Sequence, residues 1–174
     1  NVGNTLQLLG GISQDHAHHR AAADAFAKAL EEYTRDRTPM QWANSMAALG
    51  ASLQSLAMAE GDLDILREAI DARRQALEVL TVDNAPVEWA TAQNGLGQCL
   101  LNLSTFEGND THLAEAMAAF EASMQVFTRE AQPLQWAFAQ NNIGDVHWNL
   151  AVRGGGEAEF RKAIERFESA NLAF

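Results

Sequence analysis

Apolar residues recur along this chain at three- and four-residue steps. Between residues 39 and 59, Trp42, Met46, Leu49, Leu53 and Leu56 fall on one stripe, the spacing that gathers side chains on one face of a helix. Pro39 suits the first position of that helix, where its missing N–H would have no partner anyway. Thr38 and Gln41 have the spacing of a capping box. Glu60-Gly61-Asp62 breaks the pattern. A second stripe, with Ile65, Ala69, Ala72, Ala76, Val79 and Leu80, predicts a helix from Leu63 to Val82. Asp83-Asn84-Ala85-Pro86 ends it, because the residue before a proline is driven out of helical geometry. Alanine is abundant and β-branched residues are scarce, so strands are disfavoured.

The helix pair repeats with a period of 47 residues and no gap. Pro39, Pro86 and Pro133 are in step, as are Trp42, Trp89 and Trp136, each followed by an alanine. Gly50, Gly97 and Gly144 match, and one step back lands on Gly3. Ala22, Ala69, Ala116 and Ala163 match, and so do Phe26, Phe120 and Phe167, with Arg73 in the place of the aromatic ring. The expected organisation is one repeat domain over 1–174, in units 1–38, 39–85, 86–132 and 133–174, with eight helices in four hairpins. The first and fourth units are incomplete, which predicts a piece of a longer chain. A single hairpin cannot cover both of its apolar faces, so neighbours must stack. The repeated tryptophans are expected to wedge between successive hairpins, and the glycines to let the two helices of a pair approach closely.

These residues resemble the tetratricopeptide repeat family. The first-helix pairs are Val2-Gly3, Leu49-Gly50, Leu96-Gly97 and Ile143-Gly144. The second-helix pattern, small residue, aromatic, small residue, is carried by Ala22, Phe26 and Ala29, by Ala116, Phe120 and Ser123, and by Ala163, Phe167 and Ala170. The unit is longer than the family's usual 34 residues and looks like the long-unit arrays of kinesin light chains and bacterial signalling proteins. The resemblance implies an all-α, right-handed α-solenoid of about four helical hairpins. It also implies a protein–protein interaction module whose concave groove holds a peptide or protein segment. A second reading is a regulatory or oligomerisation segment of a larger bacterial signalling protein, where such arrays accompany cyclase, switch or protease domains.

The groove positions implied by the resemblance lie on the first helices. They are Asn94, Gln98, Leu101 and Asn102 in the third unit, and Asn141, Asp145, Trp148 and Asn149 in the fourth. The second unit contributes Ala47, Ala51, Gln54 and Ser55, and the first Asn4, Gln7 and Leu8. Asn94, Gln98 and Asn102 step by four, so they form a stripe that Asn141, Asp145 and Asn149 repeat. A carboxamide both donates and accepts, which matches a peptide backbone; solvated amides, or amides capping nearby loops, fit the pattern as well. No Lys or Arg stands at these positions, so the basic clamp that some family members close on a carboxylate is not expected, and Asp145 favours a neutral or basic ligand.

Charge and composition narrow the classes further. Twelve basic and 23 acidic residues give a net charge of -11, which repels phosphate backbones and anionic lipid, so neither nucleic acid nor membrane is an expected partner. No apolar run is long enough for a membrane span, and no basic segment precedes the apolar N-terminal stretch; a cytoplasmic location is expected. Ten arginines against two lysines point to a GC-rich bacterial genome. Cys99 is the one cysteine; set mid-helix, it reads as an inert packed residue.

His16, His18 and His19 beside Asp15 carry metal-ligating atoms in no defined motif, and polar turn residues account for them equally well. A metal-dependent enzyme at that cluster is the third reading. His112 and His147 stand apart, His147 at a position held by Leu53 and Leu100 in other units, which predicts a half-buried histidine. Gly154-Gly155-Gly156 lacks the Lys-Ser/Thr of a phosphate loop and reads as a turn. The expectation is therefore a chain with no enzyme activity, metal or cofactor. Neither end shows a polar capping helix, and Phe167, Leu172 and Phe174 lie near the last edge, which predicts self-association through a repeat end or packing against further sequence.

Overall fold

A computed structural model describes residues 16–172, together with 3, 5, 6 and 8, which are helical. The described residues contain no strand, and the chain is all-α. In chain order the helices are α1 (His16–Glu32), α2 (Pro39–Glu60), α3 (Leu63–Leu77), α4 (Pro86–Glu107), α5 (Asp110–Ser123), α6 (Pro133–Leu150) and α7 (Gly156–Asn171). A kinked segment, Ala151–Gly155, joins the last two. The chain divides into two compact units, Asn1–Thr81 and Val82–Phe174. In unit 1, α2 packs against α1 and α3; in unit 2, α4 pairs with α5, α6 packs on α5, and α7 pairs with α6. No described helix is long and apolar enough to cross a membrane.

The long first helices α2, α4 and α6 all open on their proline. The capping box expected at Thr38 does not form: Thr38, Ala85 and Gln132 hold the same backbone shape, and none caps through its side chain. Thr38 Oγ1 instead donates to the carbonyl of Thr34 at 3.4 Å. The first backbone bond of the helix runs from Trp42 N to Thr38 O at 2.9 Å, so the N–H that Pro39 lacks would have had no intrahelical partner. The preceding turns carry a repeated device that the hydrophobic pattern does not reveal. Thr34 and Thr128, 94 residues apart, each accept on Oγ1 from a backbone N–H three residues on, and their carbonyls accept from Thr38 N and Gln132 N.

The α2–α3 and α4–α5 turns share one chemistry. Gly61 and Gly108 take left-handed geometry, with φ of 70° and 69°, and end the first helices as a residue without a β-carbon does most readily. Asp62 then caps α3 by accepting from the N–H groups of Asp64 and Ile65, and Asn109 caps α5 by accepting from Thr111. In the fourth repeat Gly156 stands where these caps would be, and α7 begins without one. The chain reaches it through a kink, with Gly154 at φ 116°. The triple glycine is thus a kinked turn between two helices, as expected, with Gly154 and Gly156 both at positive φ.

Second helices are shorter than their apolar stripes predict. Helix α3 ends at Leu77, not at Val82. Leu80 N still bonds to Ala76 O at 2.9 Å, and this tightened turn delivers Leu80 into the core, fully buried. One period later Phe127 does the same through Ser123. The core between the helices of each hairpin rests on small residues and rings. Ala69, Ala116 and Ala163 are buried, as are the alanines that follow each tryptophan. A β-carbon at Gly97 would lie 2.6 Å from the Phe120 ring, and one at Gly144 would lie 2.5 Å from Phe167. Glycine is therefore what admits the ring, as expected. At Gly3 the ring is Phe26; at Gly50 the neighbour is Arg73.

The tryptophans are half-buried, so they are edge residues of the packing and not closed core wedges. Arg35 lies over Trp42 at 5.5 Å, and Arg129 over Trp136 at 5.7 Å. The same arginines reach the ends of later helices: Arg35 pairs with Glu78 at 2.6 Å, and Arg129 donates to the carbonyl of Leu172 at 2.9 Å. Each unit thus fastens its two hairpins through one guanidinium stacked on one indole.

Candidate functional site

Helices α4 and α6 carry the amide stripes of unit 2. Asn94, Gln98 and Asn102 on α4 are half-buried, as are Asn141 and Asn149 on α6. The two faces meet: Asn142 Nδ2 donates to Asn94 Oδ1 at 3.0 Å. It is Asn142, the neighbour of the repeat-matched Asn141, that closes on Asn94. Asn149 departs from expectation. Its Nδ2 donates to the carbonyl of Asp145 one turn back, at 2.9 Å, so it is spent on its own helix. Gln98, Asn102 and Asn141 have no side-chain hydrogen bond among the described residues, and the amide N–H groups of Asn94 are likewise uncommitted. A half-buried amide without a protein partner keeps its donor and acceptor for water or a ligand.

The lower end of the α6 face is mixed. Asp145 sits at the surface, yet neighbouring protein atoms strip enough water from its carboxyl to raise its pKa above the ordinary 3.8. It forms no salt bridge among the described residues. Trp148, one turn on, is 51% exposed and is braced edge-on by Phe160, with ring centroids 5.2 Å apart. Leu101, the matching residue on α4, is buried, so at this position only the fourth repeat of unit 2 exposes a ring. Nearby, His147 Nδ1 lies 2.7 Å from Glu159 Oε2. A hydrogen bond from Lys162, and then that from His147, hold the Glu159 carboxyl below its usual range. His147 is half-buried as predicted, and it is paired.

No family model matches the chain, and no curated protein sequence matches it. Among solved structures, a chain described as "DHF58 filament" aligns over 98% of this chain and 88% of its own, at 17% identity and a TM-score of 0.43. The account of the site therefore rests on its own geometry.

In unit 1 the expected groove residues are sparser. Ala47, Ala51, Gln54 and Ser55 are half-buried on α2. Ser55 donates to its own helix, and Gln54 accepts from Arg73 at 3.0 Å. Leu8 is exposed; Asn4 and Gln7 lie outside the described residues. Sequence reasoning passed over Arg73 as a departure from the aromatic position, and its basic character at that place was the available signal. Asp15 and the side chain of His16 also lie outside the described residues, while His18 and His19 sit in the first turn of α1. Among the described residues no three His, Cys, Asp or Glu side chains gather around a common point. Cys99 is fully buried. An open cleft over α4 and α5, lined by Gln93, Leu96, Leu100, Glu115, Ala118 and Ala119, holds one carboxylate and no nucleophile.

Proposed function

We propose that unit 2 is a peptide-binding module of the tetratricopeptide-like class, its hairpins stacked in the right-handed sense of that family. The peptide lies extended across α4 and α6. Gln98, Asn102, Asn141 and the N–H groups of Asn94 pair with its backbone. Asp145 and Trp148 extend the site toward a neutral or basic side chain, through charge and through the indole face. The observation that carries this reading is the Asn142–Asn94 bond, which brings two amide-bearing helix faces within one hydrogen bond of each other. Around it stand three amides with no partner among the described residues. In this reading the module does no chemistry of its own, needs no metal or cofactor, and works in the cytoplasm of a bacterium.

Calorimetry with a peptide selected from a random displayed library tests it. The triple change Gln98→Ala, Asn102→Ala and Asn141→Ala is expected to weaken binding by roughly tenfold or more with the thermal midpoint unchanged. Unchanged affinity would move the site off this face.

Self-association is a second reading with its own support. Ile164 and Leu172 are exposed on and just beyond α7, eight residues apart and so on neighbouring parts of one face. Sedimentation at increasing concentration, with Ile164→Lys as the control, reads this out.

A further inference from the structure

We propose that unit 1 binds a carboxylate at Arg73, and that Gln54 is the side chain the incoming group displaces. Arg73 occupies the place that Phe26, Phe120 and Phe167 hold in the other repeats. Its stem fills the ring's space, with Cγ 2.8 Å from where a β-carbon on Gly50 would lie. The guanidinium is thereby delivered to Gln54 on α2. Arg73 is only 5% exposed. Among the described residues no carboxylate pairs with it. Its hydrogen bond is the one from Nη2 to Gln54 Oε1, at 3.0 Å, and its buried Nε has no partner. A carboxylic acid or an amine in such a place would lose its charge; a guanidinium keeps it. A buried, permanent charge with one neutral acceptor is costly to maintain.

The free edge of that guanidinium has a definite shape. Nε and one Nη share an edge of its plane, and the two oxygens of a carboxylate match that edge with two parallel hydrogen bonds. Gln54 offers a single acceptor oxygen there and satisfies Nη2 alone. Its amide therefore marks one oxygen of the fitting group and leaves the other absent. Gln54 is half-buried, so its side chain has solvent to turn into. The chain's net charge of -11 opposes an approaching anion, but that repulsion is screened over about 8 Å at physiological salt. The contact itself is set by the buried fork. A free organic acid and an Asp or Glu of a protein segment share this chemistry.

The test is the thermal midpoint of the full chain at pH 7 in sodium acetate against sodium chloride of equal ionic strength. Acetate is expected to raise the midpoint by about 3 °C per tenfold increase once binding saturates. Gln54→Glu sets a carboxylate in the chain at the marked position. It is expected to raise the midpoint in chloride and to abolish the acetate response. Arg73→Phe restores the ring of the other repeats and is also expected to abolish the response; should that variant fail to fold, Gln54→Glu carries the test. A second arm replaces acetate with a blocked pentapeptide centred on glutamate, or on glutamine. A glutamate peptide acting at roughly tenfold lower concentration than acetate assigns the site to a protein segment, and equal potency assigns it to a free acid. The proposal is overturned if acetate leaves the wild-type midpoint unchanged, if its effect persists in Gln54→Glu, or if the glutamine peptide acts as strongly as the glutamate one.

Discussion

Asp145 and Arg73 are charged residues that the fold withdraws from water, Asp145 in part and Arg73 almost wholly, without supplying an opposite charge among the described residues. Their consequences differ because one can titrate. The carboxyl of Asp145 has its pKa raised by loss of solvent, so its ionised form opposes folding. For a group whose folded-state pKa lies above its unfolded value, the full stability is present below the unfolded value and is lost as pH rises through the folded one. Asp145→Asn is therefore expected to raise the thermal midpoint at pH 7, and the gap should close as pH falls toward 3.8, the ordinary value. A gap that stays open at pH 3, or an asparagine variant less stable than wild type at neutral pH, would show that Asp145 has a partner in solution. Much of this residue-level detail was not legible in the sequence. The stripe Asn94, Gln98, Asn102 could be read from its spacing by four, but which asparagine of the Asn141-Asn142 pair faces Asn94 depends on helix rotation by about 100° per residue. Arg73 was visible only as a missing ring.

At the scale of elements the sequence was far more informative, because the 47-residue register averages out local accidents. Prolines marked the first helix starts, Gly61 marked an end that Gly108 repeats one period later, and the glycine–aromatic pairing placed one helix against the other in every hairpin but the second. The errors came where short-range chemistry competes. Thr38 looked like a cap, yet Ala85 and Gln132 do the same work without a hydroxyl, so backbone shape before proline is what counts. The apolar stripe ran past Leu77, but Leu80 is buried from a tightened turn and not from the helix. The pairing of helices also makes the firmest stability prediction. Gly97→Ala places a methyl group 2.6 Å from the Phe120 ring, an overpacking worth about 1–3 kcal/mol in urea unfolding. Combining it with Phe120→Leu should cost less than the sum of the two single changes, since the smaller side chain vacates the contested space. Strict additivity would mean that the helices separate slightly to accept the methyl group.

For the molecule as a whole, repetition of one hairpin supplies a frame, and departures from the repeat supply its individuality. The frame is economical: the same guanidinium-on-indole fastening serves unit 1 through Arg35 and unit 2 through Arg129. Individuality lies in the uncommitted amides of α4 and α6, the exposed Trp148 and the buried Arg73. The amides and Trp148 are not needed to close the core and leave polar or aromatic surface uncommitted, while Arg73 fills a core position and leaves its buried Nε without a partner. The measurement that bears most directly on the peptide-binding reading is a spectrum of the side-chain amide groups of the 15N-labelled chain during titration with a library-selected peptide. The account predicts that the Asn94, Gln98, Asn102 and Asn141 amide signals move together and saturate at one concentration, while those of Gln75 and Gln125, exposed elsewhere, stay still. Movement confined to Gln75, Gln125 or other outer amides, with the α4 and α6 row unchanged, would contradict it.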